Sequence, residues 1–420
     1  MLFRSGHSGV YSSLPCTLIG MLNAGVHPYM PSQGSLGASG DLAPLAHMAL
    51  VVSRDPRGDQ EADSGKAYYQ GSLLSGFQAM REAGVERIVL GPKEGLSIVN
   101  GTHVTTSISA LALWDAKTIV QSADIIGAMS LEALRGISTA YDRRIHELRP
   151  HPGQLACAEN MRRVFSGSVL IDSLKDVVQD PYAFRCTPQV HGGCRDAIRY
   201  VEGVIATEMQ SVTDSPLVFV EDGQVQLMSG GNFHAEPLGY ATDTLGLVMT
   251  GLGTLCERRA YRLLDRALNR GLPSFLVAKP GVNTGLMIAQ YTAASLASEN
   301  KVLSHPSTID SITASENQED HVSMATTAAR KAGWIIQNVA RICGIELLFA
   351  AQALDFRCRE AGGLEALGVG TRSAFTAFRR VVPFIEADQT LSDCIELATQ
   401  FIMSRELISA VESSLGDQLL

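Results

Sequence analysis

From His321 to Asp355 the chain contains no proline, and apolar side chains recur at Ile335, Val339, Ile342 and Ile345. Those spacings of four and three keep one face apolar at the period of an α-helix. The run predicts one helix of roughly 30 residues, about 45 Å long at 1.5 Å per residue. An element of that length cannot bury its face against a few short neighbours, so the rest of the chain has to supply helices of similar size. It does: Leu245, Met249, Leu252 and Cys256 repeat the pattern, as do Val104, Ile108 and Leu111. The predicted fold is mainly α, a large bundle of long antiparallel helices.

One stretch departs from the helical period. In "PLVFVEDGQVQLMSGGNFHAEP", Leu217–Val220 and Gln224–Met228 flank Asp222-Gly223, the signature of a two-residue β-hairpin turn. Gly230-Gly231 follows, and a helix is expected to start near Pro237. A small β-hairpin therefore delivers Asn232, Phe233 and His234 to a helix start. A surface ornament is the plainer reading, although paired glycines beside polar groups also permit close approach.

Composition removes several function classes. The 420 residues carry 34 basic and 43 acidic side chains, a net charge of −9 with no basic block, which argues against nucleic acid and anionic membranes as partners. The most apolar stretch, Leu245–Cys256, is too short to span a bilayer. "MLFRSGHSGVYSS" at the start lacks the apolar core of a secretory signal. The eight cysteines form no CxxC pair and read as reduced thiols, so the expected location is the cytoplasm. Ten scattered histidines without an HExxH motif predict no metal.

The chemistry concentrates in "GSLGASGDLAPLAHMAL", residues 34–50. It lacks the lysine of a phosphate loop, the GxG spacing of a dinucleotide loop and the last glycine of a nucleophile elbow. The backbone itself remains. The Gly40 nitrogen can attack the Ala38 carbonyl, glycine being required where a Cβ would obstruct so tight a turn. Loss of that water and of the Ser39 hydroxyl as a second water gives a methylidene-imidazolone, an electrophile made without an added cofactor. Asp41 follows as a helix N-cap or first-turn acid, with Leu42, Leu45 and Ala49 behind it. By itself Ala-Ser-Gly is common, and a glycine turn ahead of a helix accounts for the same residues.

The line "MLNAGVHPYMPSQGSLGASGDLAPLAHMAL" resembles the prosthetic-group segment of the histidine and aromatic amino-acid ammonia-lyases. "KEGLSIVNGTHVTTS", "QDPYAFRCTPQVHGG", "SGGNFHAEP" and "NQEDHVSM" are similar to further blocks of that family, in the same order. The resemblance implies that Ala38, Ser39 and Gly40 form the electrophile, with Phe233 and Asp41 pressing them toward cyclisation. It implies that Tyr182 relays a proton and that Asn100 and Arg185 hold the substrate carboxylate, the guanidinium with two parallel hydrogen bonds. Gln179 and Gln318 would line the site. Glu319 would accept a hydrogen bond from an imidazole, which suits histidine and not a phenyl ring. Taken singly, these residues also read as an Asn-Gly turn, a buried tyrosine, a surface ion pair and a helix-start acid.

The implied activity is elimination of ammonia from L-histidine to give trans-urocanate, in a homotetramer whose sites draw on several subunits. The implied organisation is one helical lyase domain over 1–420: prosthetic-group segment 1–52, polar loop 53–66, central bundle 67–355 and C-terminal helices 356–420. The family carries a segment ahead of this one, with a mobile loop bearing a tyrosine base. Met1 leads almost directly into "GHSGV", so the expectation is an N-terminally shortened member with impaired turnover. Two other readings stay open: a phenylalanine or tyrosine lyase or aminomutase, and a non-catalytic helical scaffold.

Overall fold

The computed structural model describes residues 5–420. The proline-free run is a helix of 37 residues, Ala325–Ala361. It begins four residues later than expected, because Met324 takes a left-handed backbone (φ 53°) and gives its N–H to the Leu36 carbonyl at 2.9 Å. Helices His103–Ala133, Thr187–Glu208 and Glu236–Leu264 run for 31, 22 and 29 residues. With 58% of the described residues helical, the fold is mainly α as the periodicity predicts. No helix among the described residues is long and apolar enough to cross a membrane.

Leu245, Met249, Leu252 and Cys256 are fully buried, and so, to within 1%, are Ile335, Val339, Ile342 and Ile345. The third expected face is displaced. Leu111 is 70% exposed, and the buried stripe of its helix runs through Thr105, Ser109, Ala112, Ala116, Ile119, Ala123 and Ile126. Small and hydroxylated side chains fill the closest contacts there, so apolarity alone mis-sets the phase.

The hairpin forms as Leu217–Glu221 against Gln224–Met228, with Asp222 (φ 49°) and Gly223 (φ 74°) supplying the two positive φ values of its turn. A second sheet was not anticipated. His27–Pro28, Lys66–Tyr69 and Ser72–Ser75 pair antiparallel, turning at Gln70 (φ 48°) and Gly71 (φ 79°). Strand therefore replaces both the end of the expected polar loop and the expected start of the helical bundle. The remaining polar loop is not simply solvated. The buried Arg87 donates to the carbonyls of Leu50 (2.8 Å), Val51 (3.1 Å) and Ser53 and pairs with Asp59, capping the C-terminal end of helix Leu42–Val52 with positive charge.

The chain divides into two compact units, each discontinuous in sequence, and the division cuts across the segments read from sequence. Of the described residues, the first comprises 5–111, 202–243 and 306–331. Leu14, Met21, Val51, Val52, Met80 and Ile98 lie at its core. The second comprises residues 112–201, 244–305 and 332–420, and from Ile342 to Leu354 the long helix is buried on all sides within it.

A polar network runs through the interior of the second unit. Arg259 donates from Nε and Nη2 to the two oxygens of Glu346 at 2.6 and 3.0 Å, and from Nη1 to His191 Nε2 at 3.1 Å. His191 Nδ1–H donates to Asp124 at 2.7 Å, and Asp124 also accepts from Asn160 and Arg195. Burial opposes both charges. The Arg195 guanidinium and the His191 hydrogen bond nevertheless hold Asp124 well below the ordinary carboxylate range, and Glu346 holds Arg259 above the ordinary guanidinium range.

Glu132 in the same unit behaves oppositely. Burial lifts its carboxyl to about 7 against an ordinary 4.5, although hydroxyls of Ser168 and Thr371 and the Gly368 N–H partly counter the rise. Between these pH values the unfolded chain has released a proton that the native chain keeps. Stability from this group is thus complete below pH 4.5 and lost as pH climbs through about 7. Urea unfolding at pH 5 and pH 8 checks this: the native chain should lose on the order of 3 kcal/mol more than Glu132→Gln over that interval.

Candidate active site

Residues 34–41 run from the three-stranded sheet into helix Leu42–Val52, within the first unit. Gly37 (φ 69°) and Gly40 (φ 82°) take left-handed backbones. The Gly37 carbonyl accepts from the Ala235 N–H at 3.0 Å and the Ser323 hydroxyl at 2.9 Å. Gly40 pairs edge to edge with Gly101, and Asp41 donates its N–H to the Gly101 carbonyl at 2.7 Å. A Cβ on Gly40 would stand 2.2 Å from that oxygen, which excludes every other residue.

Ser39 lies at the crest of this turn, half-buried between buried Ala38 and Gly40. Its carbonyl oxygen accepts two hydrogen bonds, from Asn100 Nδ2 at 2.7 Å and the Gly101 N–H at 3.4 Å. The Asn100 amide is oriented from its other side, where Oδ1 accepts the Ser215 N–H at 2.7 Å. The Ser39 hydroxyl donates to Glu319 Oε1.

Asp41 occupies the N-cap position of helix Leu42–Val52 but makes no side-chain bond to it. Its fully buried carboxylate instead accepts from the Thr105 N–H and hydroxyl, both at 2.7 Å, from Thr326 at 2.9 Å and from Ser35 at 2.9 Å. Thr105 and Thr326 stand in the first turns of helices His103–Ala133 and Ala325–Ala361. The acid therefore ties three helix N-termini together, and their positive ends compensate its charge.

The first unit thus brings together Ala38, Ser39, Gly40, Asp41, Asn100 and Glu319. Phe233 belongs to the same unit, half-buried in the turn before helix Glu236–Leu264, and Gln318 stands exposed beside Glu319. Tyr182, Arg185 and Gln179 belong to the second unit, where they meet one another. The Arg185 guanidinium lies over the Tyr182 ring, 4.7 Å from its centre, and donates to Gln179 Oε1. Tyr182 is 69% exposed, and neither partner of Arg185 carries a charge to balance it.

Sequence reasoning missed Gly101, Ser35, Thr105 and Thr326. Gly101 and Thr105 stand inside the "VNGTHVTT" block, where a glycine after the asparagine and a hydroxyl in the next helical turn were signals to use. Ser35 and Thr326 carried none.

Residues 2–380 match the family described as aromatic amino acid lyase. Histidine ammonia-lyase of Alkaliphilus oremlandii is 48% identical over 410 residues, 97% of this chain and 78% of that protein. The crystal structure of histidine ammonia-lyase from Trypanosoma cruzi superposes with a TM-score of 0.87 at 38% identity, covering 97% of this chain and 75% of that one. Tyrosine aminomutase from Streptomyces globisporus superposes with a TM-score of 0.89 at 33% identity, covering 99% and 79%. Backbone similarity alone therefore does not separate an imidazole substrate from a phenol.

Proposed function

Because this chain belongs to the aromatic amino acid lyase family, we propose that it eliminates ammonia from L-histidine to give trans-urocanate, using a methylidene-imidazolone made from Ala38, Ser39 and Gly40. The contact between Ser39 and Glu319 carries the choice of substrate. A carboxylate beside the reacting serine can take the N–H of an imidazole. Against a phenyl ring this half-buried carboxylate would lose water without gaining a partner. The 48% identity to a histidine ammonia-lyase supports the same choice.

The residues suit the prosthetic group. Glycine is the one residue the Gly40–Gly101 approach admits, and the Ser39 oxygen, which becomes the ring carbonyl, already has two N–H donors. Closure bonds the Gly40 nitrogen to the Ala38 carbonyl carbon, whose oxygen leaves as water. The Ser39 Cα proton and hydroxyl leave as a second water. The finished group supplies an electrophilic carbon.

The protein's own groups do the rest. Asn100 and the Gly101 N–H face the oxygen on which negative charge grows, as fixed donors that need no rearrangement. Glu319 orients the imidazole. Arg185 takes the substrate carboxylate with its two-point grip, Tyr182 moves a proton, and Gln179 and Gln318 line the approach. These last assignments go with a homotetramer in the cytoplasm. Leu111, Trp114, Leu247 and Tyr291 are each more than half exposed, large apolar side chains that further copies of the chain would cover.

The experiment is a comparison of substrates. L-Histidine should yield urocanate absorbance, while L-phenylalanine and L-tyrosine yield neither cinnamate nor coumarate, nor β-amino acids, at the same concentration. Glu319→Ala should cut kcat/KM for histidine by about a hundredfold or more, and should reduce any residual phenylalanine turnover far less. Equal losses on both substrates would remove Glu319 from substrate recognition.

A further inference from the structure

The two donors to the Ser39 carbonyl oxygen, Asn100 and Gly101, lean on one segment of the same unit, Thr213–Ser215. The Ser215 N–H bonds Asn100 Oδ1 at 2.7 Å, which commits the amide oxygen and turns its NH2 toward Ser39. Thr213 Oγ1 accepts the Thr102 N–H at 3.4 Å. Thr213 also stands so close to Gly101 that a Cβ there would lie 2.8 Å from its Oγ1 and 3.0 Å from its carbonyl oxygen. A shift of this segment would carry both donors with it.

The middle residue anchors the segment. Asp214 is fully buried, its Oδ2 accepting from Lys93 Nζ at 2.8 Å and its Oδ1 from the Ser8 hydroxyl at 3.1 Å. Lys93 directs its other two ammonium protons to the Ser8 carbonyl at 2.7 Å and the Ser97 hydroxyl at 2.8 Å. All three donors of the lysine are therefore engaged at one point, a set that the planar fork of an arginine does not offer.

Lys93 is the residue ahead of helix Glu94–Val99, and Asn100 is the residue that follows it. The short helix is a rigid spacer of about 9 Å between cation and amide. Thr213–Ser215 holds that spacer at both ends, through Asp214 at its start and Ser215 at its finish. A buried ion pair adds little net stability, yet either charge left alone is costly, so its two partners stay in one geometry. Such a pair serves placement more than it serves stability.

We propose that Lys93 and Asp214 are positioning residues of the candidate active site: their ion pair holds Thr213–Ser215 against Asn100 and Gly101, and so aims both N–H donors at the Ser39 oxygen. This assignment rests on the lyase reading, in which that oxygen becomes the ring carbonyl.

The test uses full-length protein and the paired replacement Lys93→Met with Asp214→Asn, which leaves neither charge stranded. A hydrogen bond to a carbonyl conjugated with an alkene moves its near-ultraviolet band to longer wavelength, so the band reports the donors without turnover. In the paired variant the band should move to shorter wavelength. Its kcat for L-histidine should fall about ten- to hundredfold with KM nearly unchanged, because the donors act on charge that grows in the transition state. Asn100→Ala should move the band the same way, and adding the paired replacement to it should move the band no further. Asp214→Asn alone, nearly isosteric, should give a smaller shift in the same direction and keeps the test open where the paired variant does not fold. A native chain at its full sequence mass ends the lyase reading and this assignment with it. A native chain that carries the ring, beside variants with its band position and kcat or with a further shift in the Asn100→Ala background, overturns the assignment of Lys93 and Asp214 alone.

Discussion

Ser39→Ala yields a folded protein that loses no second water and shows none of the near-ultraviolet absorbance of the conjugated ring. Alanine offers no hydroxyl to expel, so the exocyclic carbon remains a methyl group even if the ring closes. Turnover of L-histidine should fall at least about a thousandfold, equivalent to roughly 4 kcal/mol of lost barrier lowering. Intact-mass measurement of native and variant protein separates this from misfolding. The native chain should be lighter than its sequence by two waters, whereas the variant should lack at most one. Full activity in Ser39→Ala would end the methylidene-imidazolone mechanism. An unchanged native mass would do the same and would favour the scaffold reading.

The second large effect concerns stability. Glu346→Ala should destabilise the protein by about 3–5 kcal/mol, because it strands the Arg259 guanidinium, which has no exposure to water, without its counter-charge. Ser130 also loses its acceptor on Glu346. The double replacement Arg259→Met with Glu346→Leu removes both charges and should recover most of the loss. Urea midpoints of the three variants against the native chain distinguish a stranded charge from a simple cavity. A double variant as unstable as Glu346→Ala would show that packing, not electrostatics, dominates at this position.

Sequence was most informative where one local rule decides the outcome. The 3.6-residue period is such a rule, and it located the long helix and the buried faces of two helices. Asp222-Gly223 is another, since its turn demands two positive φ values. Gln70-Gly71 demands the same, but glutamine is an unusual bearer of positive φ, and its sheet went unread. The stripe of helix His103–Ala133 was misjudged because close packing there selects alanine, serine and threonine, which contribute little to an apolar pattern.

At the candidate site, Ala38-Ser39-Gly40 was legible as chemistry. The partner of Asp41 was not. The neighbouring helix start invited a local cap, but the carboxylate bonds residues 64 and 285 positions away, and no local pattern encodes such a meeting. Tyr182, Arg185 and Gln179 were read as one block and do cluster, because a short helix holds Tyr182 and Arg185 on one turn and Gln179 lies just ahead of it, within reach of Arg185.

Asp41 is fastened by Thr105 and Thr326, and Thr326 leaves the ribosome 285 residues after Asp41. The bend at Ser39 therefore has its full set of restraints only once these distant segments have packed together. Until then the serine is an ordinary alcohol. Under the proposed chemistry the reactive alkene carbon would arise only inside that assembled fold, so a nascent or misfolded copy would not offer it to the thiols and amines of the surrounding cell, and quality control would precede chemical maturation.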